Sequence, residues 1–270
     1  MMLAAALYEH MEALSERLPE IRRTLALLDA PDMLSEAQAL LLTAAALELQ
    51  PDVIIDLGTG SGNSAAIFAL SGAPRVYTFD LAPAWEGEIA KRLQPTRCFL
   101  DRVTAIVGDL TQVDFSPLTQ EADRVLVFWD AHGHDIAAHV LGHLMPLIAD
   151  KAHLVICHDL GDRRYNLKYK PYAGKRLWRG MDDYARNPAT TAYGIVDWAM
   201  AIVDQAIPIF DFCWRNDIEL SSVDHEFRTE LEDIRRDEGA RRLDLHPESR
   251  FSIGYFTLNG AAARNFPAPK

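Results

Sequence analysis

The sequence predicts an α/β fold: a doubly wound, mostly parallel sheet with helices on both faces. Three observations predict it. From Val53 onward, short β-branched runs alternate with helical stretches. The runs are apolar throughout rather than at every second residue, as strands covered on both faces are. A glycine-rich turn, Asp56-Leu57-Gly58-Thr59-Gly60-Ser61-Gly62, follows the first run and opens the first helix, the place where nucleotide-type ligands dock in such folds.

The chain ahead of Val53 is expected to be helical. Ser35 and Gln38 form an S-x-x-Q capping box before AQALLLTAAALEL, a run apolar nearly all round and so expected to be buried. Pro51 ends it. The N-terminal stretch reads as a helix rather than a signal peptide: it has no basic n-region, and Glu9 and Glu12 interrupt its apolar run. The first five strands are VIID (53–56), RVYTFD (75–80), VTAIVGD (103–109), RVLVFWD (124–130) and HLVICHD (153–159). Helices are expected at 63–70, 85–93 and 135–148.

After Asp159 the rhythm breaks. Residues 161–180 hold seven Lys or Arg against one Asp, with Tyr165, Tyr169, Tyr172 and Trp178 among them. Two readings stand: a basic, aromatic lid over an anionic substrate, or a solvated loop. An apolar helix follows at 194–212, which packs on the sheet or forms a homodimer or higher homo-oligomer interface. IELSS (218–222) reads as a strand, 225–238 as a helix with Phe227, Leu231 and Ile234 on one face, and RFSIGYFTLN (250–259) as the last strand. No repeat or linker divides the chain. The organisation expected is a helical extension at 1–50 packed on a core at 51–270, with a lid-like insertion at about 161–190.

Composition narrows the function classes. With 270 residues, 49% apolar and 24% charged, the chain has the make-up of an ordered globular protein. Its net charge of −12 disfavours nucleic-acid binding. No apolar run reaches the roughly 18 residues of a membrane span. Cys98, Cys157 and Cys213 form no C-x-x-C pair, which fits reduced thiols in a cytoplasmic protein.

The glycine loop carries the most specific chemistry. Gly58, Gly60 and Gly62 allow a tight turn and close backbone approach, and the next helix opens with free N–H groups. The dinucleotide fingerprint G-x-G-x-x-G fails, because position 63 is Asn63. Asp56, ahead of the first glycine, would repel a pyrophosphate and attract a cation. S-adenosylmethionine is cationic and has no phosphate. Asp80, eighteen residues past Gly62, suits a pair of ribose hydroxyls, and Asp109 suits an adenine amino group. The candidate cofactor-binding residues are Asp56, Gly58, Thr59, Gly60, Gly62, Asn63, Asp80, Asp109 and Asp130.

On DLGTGSG, Asp80, VGD and the FWDAHGHD that follows the fourth strand, the sequence resembles the class I S-adenosylmethionine-dependent methyltransferases over about residues 50–160. The resemblance implies a seven-stranded sheet of order 3-2-1-4-5-7-6 with the last strand antiparallel, and methyl transfer to a small-molecule acceptor, at an oxygen first of all. Asp130, ending strand four, and His158 and Asp159, ending strand five 28 and 29 residues later, look similar to the ligand set of the metal-dependent catechol and caffeoyl-coenzyme A type enzymes. Carried over, Asp130, His158 and Asp159 become candidate ligands of a divalent metal. Mg is the ion of an all-oxygen set, and a histidine shifts the preference toward Mn, Fe or Zn.

The catechol-type base, a Lys three residues after the first Asp, is Gly133 here. His134 and His158 are the candidate catalytic bases, with His132 beside them. A group related to cephalosporin hydroxylases and macrocin methyltransferases is similar in the same loops. Alternatives left open are therefore a same-fold metal-dependent hydroxylase and a non-catalytic cofactor-binding protein.

Overall fold

The computed structural model describes residues 2–29, 34–95, 101–160, 195–227, 243, 245 and 251–258, with 195–204 described as helical backbone only. The basic stretch read as a lid, most of the helix expected at 225–238, and Cys98 lie outside the described residues.

Three helices precede the sheet: α1 (Leu3–Glu9), α2 (Met11–Leu28) and α3 (Glu36–Leu49). The Ser35 hydroxyl accepts the Gln38 N–H, and Gln38 Oε1 accepts the Ser35 N–H, so the predicted capping box is complete. The chain then alternates: β1 (Val53–Leu57), α4 (Asn63–Ser71), β2 (Val76–Asp80), α5 (Ala90–Arg92, entered through a π-turn at Trp85–Ile89) and β3 (Val103–Val107). A 3₁₀ turn (Leu110–Gln112) and α6 (Ser116–Thr119) lead to β4 (Arg124–Trp129). Then come α7 (His134–His139), α8 (Met145–Ile148), β5 (Ala152–His158), α9 (Ile195–Arg215), β6 (Ser221–Ser222) and β7 (Ile253–Phe256).

The single helix expected at 135–148 is broken by a π-segment at Val140–Leu144. Pro146 follows it within one turn. Proline has no N–H to donate and its ring crowds the carbonyl four residues back, and a widened turn relieves both.

The sheet has seven strands in the order β3-β2-β1-β4-β5-β7-β6. The first five pair in parallel and β7 pairs antiparallel with β5 and β6. Strand residues divide by parity. Ile54, Leu126, Leu154 and Ile156 face α1–α4, while Val53, Ile55, Val125, Val127 and Val155 face α7, α8 and α9. Phe68 of α4 meets Phe128 edge to face at 5.7 Å, a contact worth about 0.5–1.5 kcal/mol beyond the area it buries.

The N-terminal helices are part of this core. The first amides of α1 have no intrahelical acceptor. Leu3 N–H donates to the Tyr255 hydroxyl and Ala4 N–H to Glu226, both at 3.2 Å, and the Tyr255 hydroxyl donates in turn to Glu226. His153, read from sequence as structural, is so: its Nε2 accepts the Leu258 N–H at 2.7 Å and its Nδ1 donates to the Lys151 carbonyl at 2.8 Å. Among the described residues no helix is long and apolar enough to cross a membrane.

Candidate active site

Parallel strands ending side by side leave a crevice where the strand order reverses. Here the reversal lies between β1 and β4. The Asp130 N–H donates to the Leu57 carbonyl at 2.8 Å, drawing the two strand ends together. Gly58, Gly60 and Gly62 all take positive φ, at 110°, 49° and 83°, which suits glycine and strains other residues.

Two of these glycines answer to the chain itself. A Cβ on Gly58 would lie 2.9 Å from the Asp130 carbonyl oxygen. A Cβ on Gly62 would lie 2.6 Å from the Ile89 side chain. At 58 and 62 the space a side chain would need is taken by the Asp130–Ala131 backbone and by the Trp85–Ile89 turn, so glycine there also answers to the chain's own packing.

Asp56 does not face the crevice. It is 0% exposed, because its register neighbours are Thr78 on β2 and Phe128 on β4 and α4 closes over them. Thr78 donates to its Oδ2 at 2.6 Å, and the Thr59 and Thr78 hydroxyls are 2.7 Å apart. Burial pushes the carboxyl up to about 7, with the Thr78 and Ser64 hydroxyls pulling the other way. Asp56 and Thr59 therefore brace the loop from beneath and offer no side chain to a ligand in the crevice. Asn63, also expected to bind cofactor, is the buried first residue of α4.

Asp80 is where the sequence reading expects it. Its Oδ2 accepts the Gly60 N–H at 2.9 Å and its Oδ1 accepts the Ala82 N–H at 3.1 Å, so the end of β2 and the glycine loop form one rim. Asp109 follows β3. Its Oδ1 accepts the backbone N–H and the hydroxyl of Thr111, bonds that hold it below the usual carboxylate range. Leu81 and Val107 are exposed apolar residues beside these two acids.

The second group stands across β4 and β5. Asp130, His158 and Asp159 offer ligand atoms that all lie within 4.8 Å of one another. Asp159 takes φ 63°, a left-handed conformation that aspartate tolerates. The His158 Nδ1 lies 2.9 Å from Asp130 Oδ1 and its Nε2 lies 2.9 Å from Gln38 Nε2. His132 joins them, with Nε2 at 3.7 Å from Asp130 Oδ1 and 4.0 Å from Asp159 Oδ2. Its Nδ1 is 2.6 Å from Gln205 Oε1, on the inner side of α9.

His134 is not brought into this group. It opens α7, is 59% exposed, and its nearest carboxylate is Asp135 at 3.6 Å. His139 bonds the Val113 carbonyl at 3.0 Å and stacks on His143, a packing role.

Gln38 and Gln205 were not singled out as site residues in the sequence. Each is a polar side chain on a helix that is otherwise apolar where it meets the core, and both are buried. That mismatch is the signal that could have found them, since buried amides are kept where they have partners.

The donor chemistry allows a test of the two groups implied for this site. The described crevice side chains are acidic: Asp80, Asp109, Asp130 and Asp159. This fits a cationic ligand with hydroxyls, as S-adenosylmethionine is, and not a pyrophosphate. For a divalent metal, the Asp130 and Asp159 oxygens fit. His158 does not, because Gln38 donates to one ring nitrogen and the other makes the hydrogen bond to Asp130.

No family model matches the chain, and no curated protein does. Solved structures match. The methyltransferase PaMTH1 of Podospora anserina, solved with S-adenosylhomocysteine, is 18% identical over 93% of this chain and 87% of its own, with a TM-score of 0.49. The O-methyltransferase TomG of Streptomyces achromogenes, solved with S-adenosylmethionine, is 21% identical over 64% of this chain and 78% of its own, with a TM-score of 0.39. An O-methyltransferase of Bacillus cereus, solved with S-adenosylhomocysteine, is 15% identical over 62% and 79%, with a TM-score of 0.41.

Proposed function

We propose that this protein is an S-adenosylmethionine-dependent methyltransferase acting on a small molecule, with an oxygen as acceptor. The observation that carries the reading is the rim at the switch point. Asp80 is hydrogen-bonded to the Gly60 amide, and the crevice beside it is lined by carboxylates and neighboured by exposed Leu81 and Val107.

Bound there, S-adenosylmethionine supplies an electrophilic methyl group on a sulfonium centre. The chain's residues do the rest. Asp80 accepts the ribose hydroxyls and Asp109 stands at the adenine end. Asp130 and Asp159 hold the negative potential that favours a cationic ligand. His132 is the proton acceptor for the substrate hydroxyl. Its ring is held by Gln205, and a proton taken on Nε2 meets carboxylates at 3.7 and 4.0 Å. Positioning and exclusion of water supply most of the acceleration.

A cytoplasmic location is supported by the two buried, unbridged thiols Cys157 and Cys213. A homodimer or higher homo-oligomer through α9 belongs to the same proposal.

Calorimetric titration tests it. S-adenosylhomocysteine should bind at micromolar affinity and NAD should not. Asp80→Asn should weaken binding by roughly 10–100-fold, the loss of charge-assisted hydrogen bonds of about 1.5–3 kcal/mol. His132→Asn should leave binding intact and, once an acceptor is found, lower turnover by roughly 10²–10⁴-fold. NAD binding in preference to S-adenosylhomocysteine would reject the reading.

A further inference from the structure

The capping-box glutamine of α3 does more than start a helix. Gln38 Oε1 accepts the Ser35 N–H at 2.8 Å, and Gln38 Nε2 donates to the Phe251 carbonyl at 2.6 Å. Turning the amide over would set a nitrogen against the Ser35 N–H and an oxygen against the Phe251 carbonyl. Both backbone partners are themselves held. Ser35 is the helix N-cap, and the Phe251 and Ser252 amides donate to the Asp224 carboxylate at 2.9 and 2.8 Å. The orientation of the Gln38 amide is therefore set by two groups that can act in only one way, the backbone N–H as donor and the backbone carbonyl as acceptor.

The second hydrogen on Gln38 Nε2 then points at His158 Nε2, 2.9 Å away. A nitrogen that faces a donor is the ring's acceptor. The ring proton is on Nδ1, where Asp130 Oδ1 accepts it at 2.9 Å.

We infer that Gln38 locks His158 in the Nδ1–H tautomer, which removes His158 from metal ligation and from proton transfer and makes it the donor that positions Asp130. The nitrogen nearest the carboxylates, the one a metal would need, carries a hydrogen. The only lone pair on the ring is turned away from the crevice, into the contact between α3 and the entry to β7. His158 and Gln38 are positioning residues: they hold Asp130 Oδ1 on the β5 side of the crevice. What Asp130 does there rests on the methyltransferase reading; the tautomer does not.

The test is two-bond proton–nitrogen correlation NMR on the full chain with isotope-labelled histidine, at neutral pH. His158 should show Nδ1 at the protonated position and Nε2 at the unprotonated one, assigned by loss of its signals in His158→Gln. Added Zn²⁺ should leave both nitrogens unmoved, and a zinc-dependent shift confined to His132 agrees with this. Gln38→Met removes the donor to Nε2 and should shift the Nε2 signal and weaken the tautomer preference, leaving Asp130 alone to hold the Nδ1 proton, while the signals of His153 stay in place.

An Nε2–H tautomer in the wild-type chain, or a zinc-induced shift of either His158 nitrogen, overturns the inference. The wild-type spectra decide the matter even if Gln38→Met does not fold. If S-adenosylhomocysteine fails to bind while the tautomer is as stated, the functional reading falls and this inference stands.

Discussion

Asp56 shows most plainly how a residue's surroundings redirect its chemistry. In the sequence it is an acid beside a glycine loop and invites a role in ligand attraction. In the fold it is fully buried between the sheet and α4, with its carboxyl raised from 3.8 to about 7. The raised value has a definite consequence for stability. Between the unfolded and folded values the folded chain holds a proton that the unfolded chain does not, so this group's contribution falls as pH rises from about 4 to about 7. Asp56→Asn removes that dependence. Denaturant midpoints at about pH 5 and about pH 8 should show the variant gaining on the wild type at the higher pH. An equal difference at both pH values would reject the raised carboxyl. Gln38 and Gln205 show the same redirection in the other sense: nothing in their immediate sequence marks them as site residues.

At the scale of elements, the strands and helices were legible because their signals are local. The apolar runs of β1, β2, β4 and β5, the S-x-x-Q box and the glycines are all read within a few residues of chain. Breaks such as the π-segment at Val140–Leu144 were not read, although Pro146 is their local cause. The short β6 at Ser221–Ser222 is less than the strand expected over 218–222; among the described residues it pairs with β7 alone, at the edge of the sheet. One prediction separates the two uses of the α3 cap. Ser35→Ala removes the hydroxyl that accepts the Gln38 N–H but keeps the Ser35 N–H that holds Gln38 Oε1. It should cost about 1 kcal/mol of stability, read as a lower denaturant midpoint, and leave the His158 tautomer unchanged. A lost tautomer in that variant would mean that the hydroxyl, and not the amide, sets the glutamine.

At the scale of the molecule, the sheet is sewn together where β1 and β4 meet, two strands joined in register from Val53↔Val125 to Leu57↔Trp129. The site is built on that seam. Gly58 has its backbone against the Asp130 carbonyl, and any side chain there would part the two strand ends. Gly58→Ala combines a positive φ of 110° with a contact of 2.9 Å, and should cost roughly 1–3 kcal/mol. Urea unfolding would show it as a lower midpoint at unchanged slope. A variant as stable as the wild type would mean that the seam yields without cost. The same distortion displaces Asp130, so S-adenosylhomocysteine affinity should fall together with stability.

The sequence by itself determined the fold class, the strand order through its resemblance, and the neighbourhood of the crevice. These follow from hydrophobic period, turn chemistry and strand ends, all of which are short-range. Only the tertiary structure decided which side chains meet there. It sank Asp56 into the core, left His134 in solvent and drew His132 to the carboxylates. It also brought Gln38 to His158 across 120 residues and to Phe251 across 213. The reason is physical. A ring nitrogen or carboxyl takes its protonation and its role from the partners within hydrogen-bond reach, and those partners come from chain too distant for any local pattern to record.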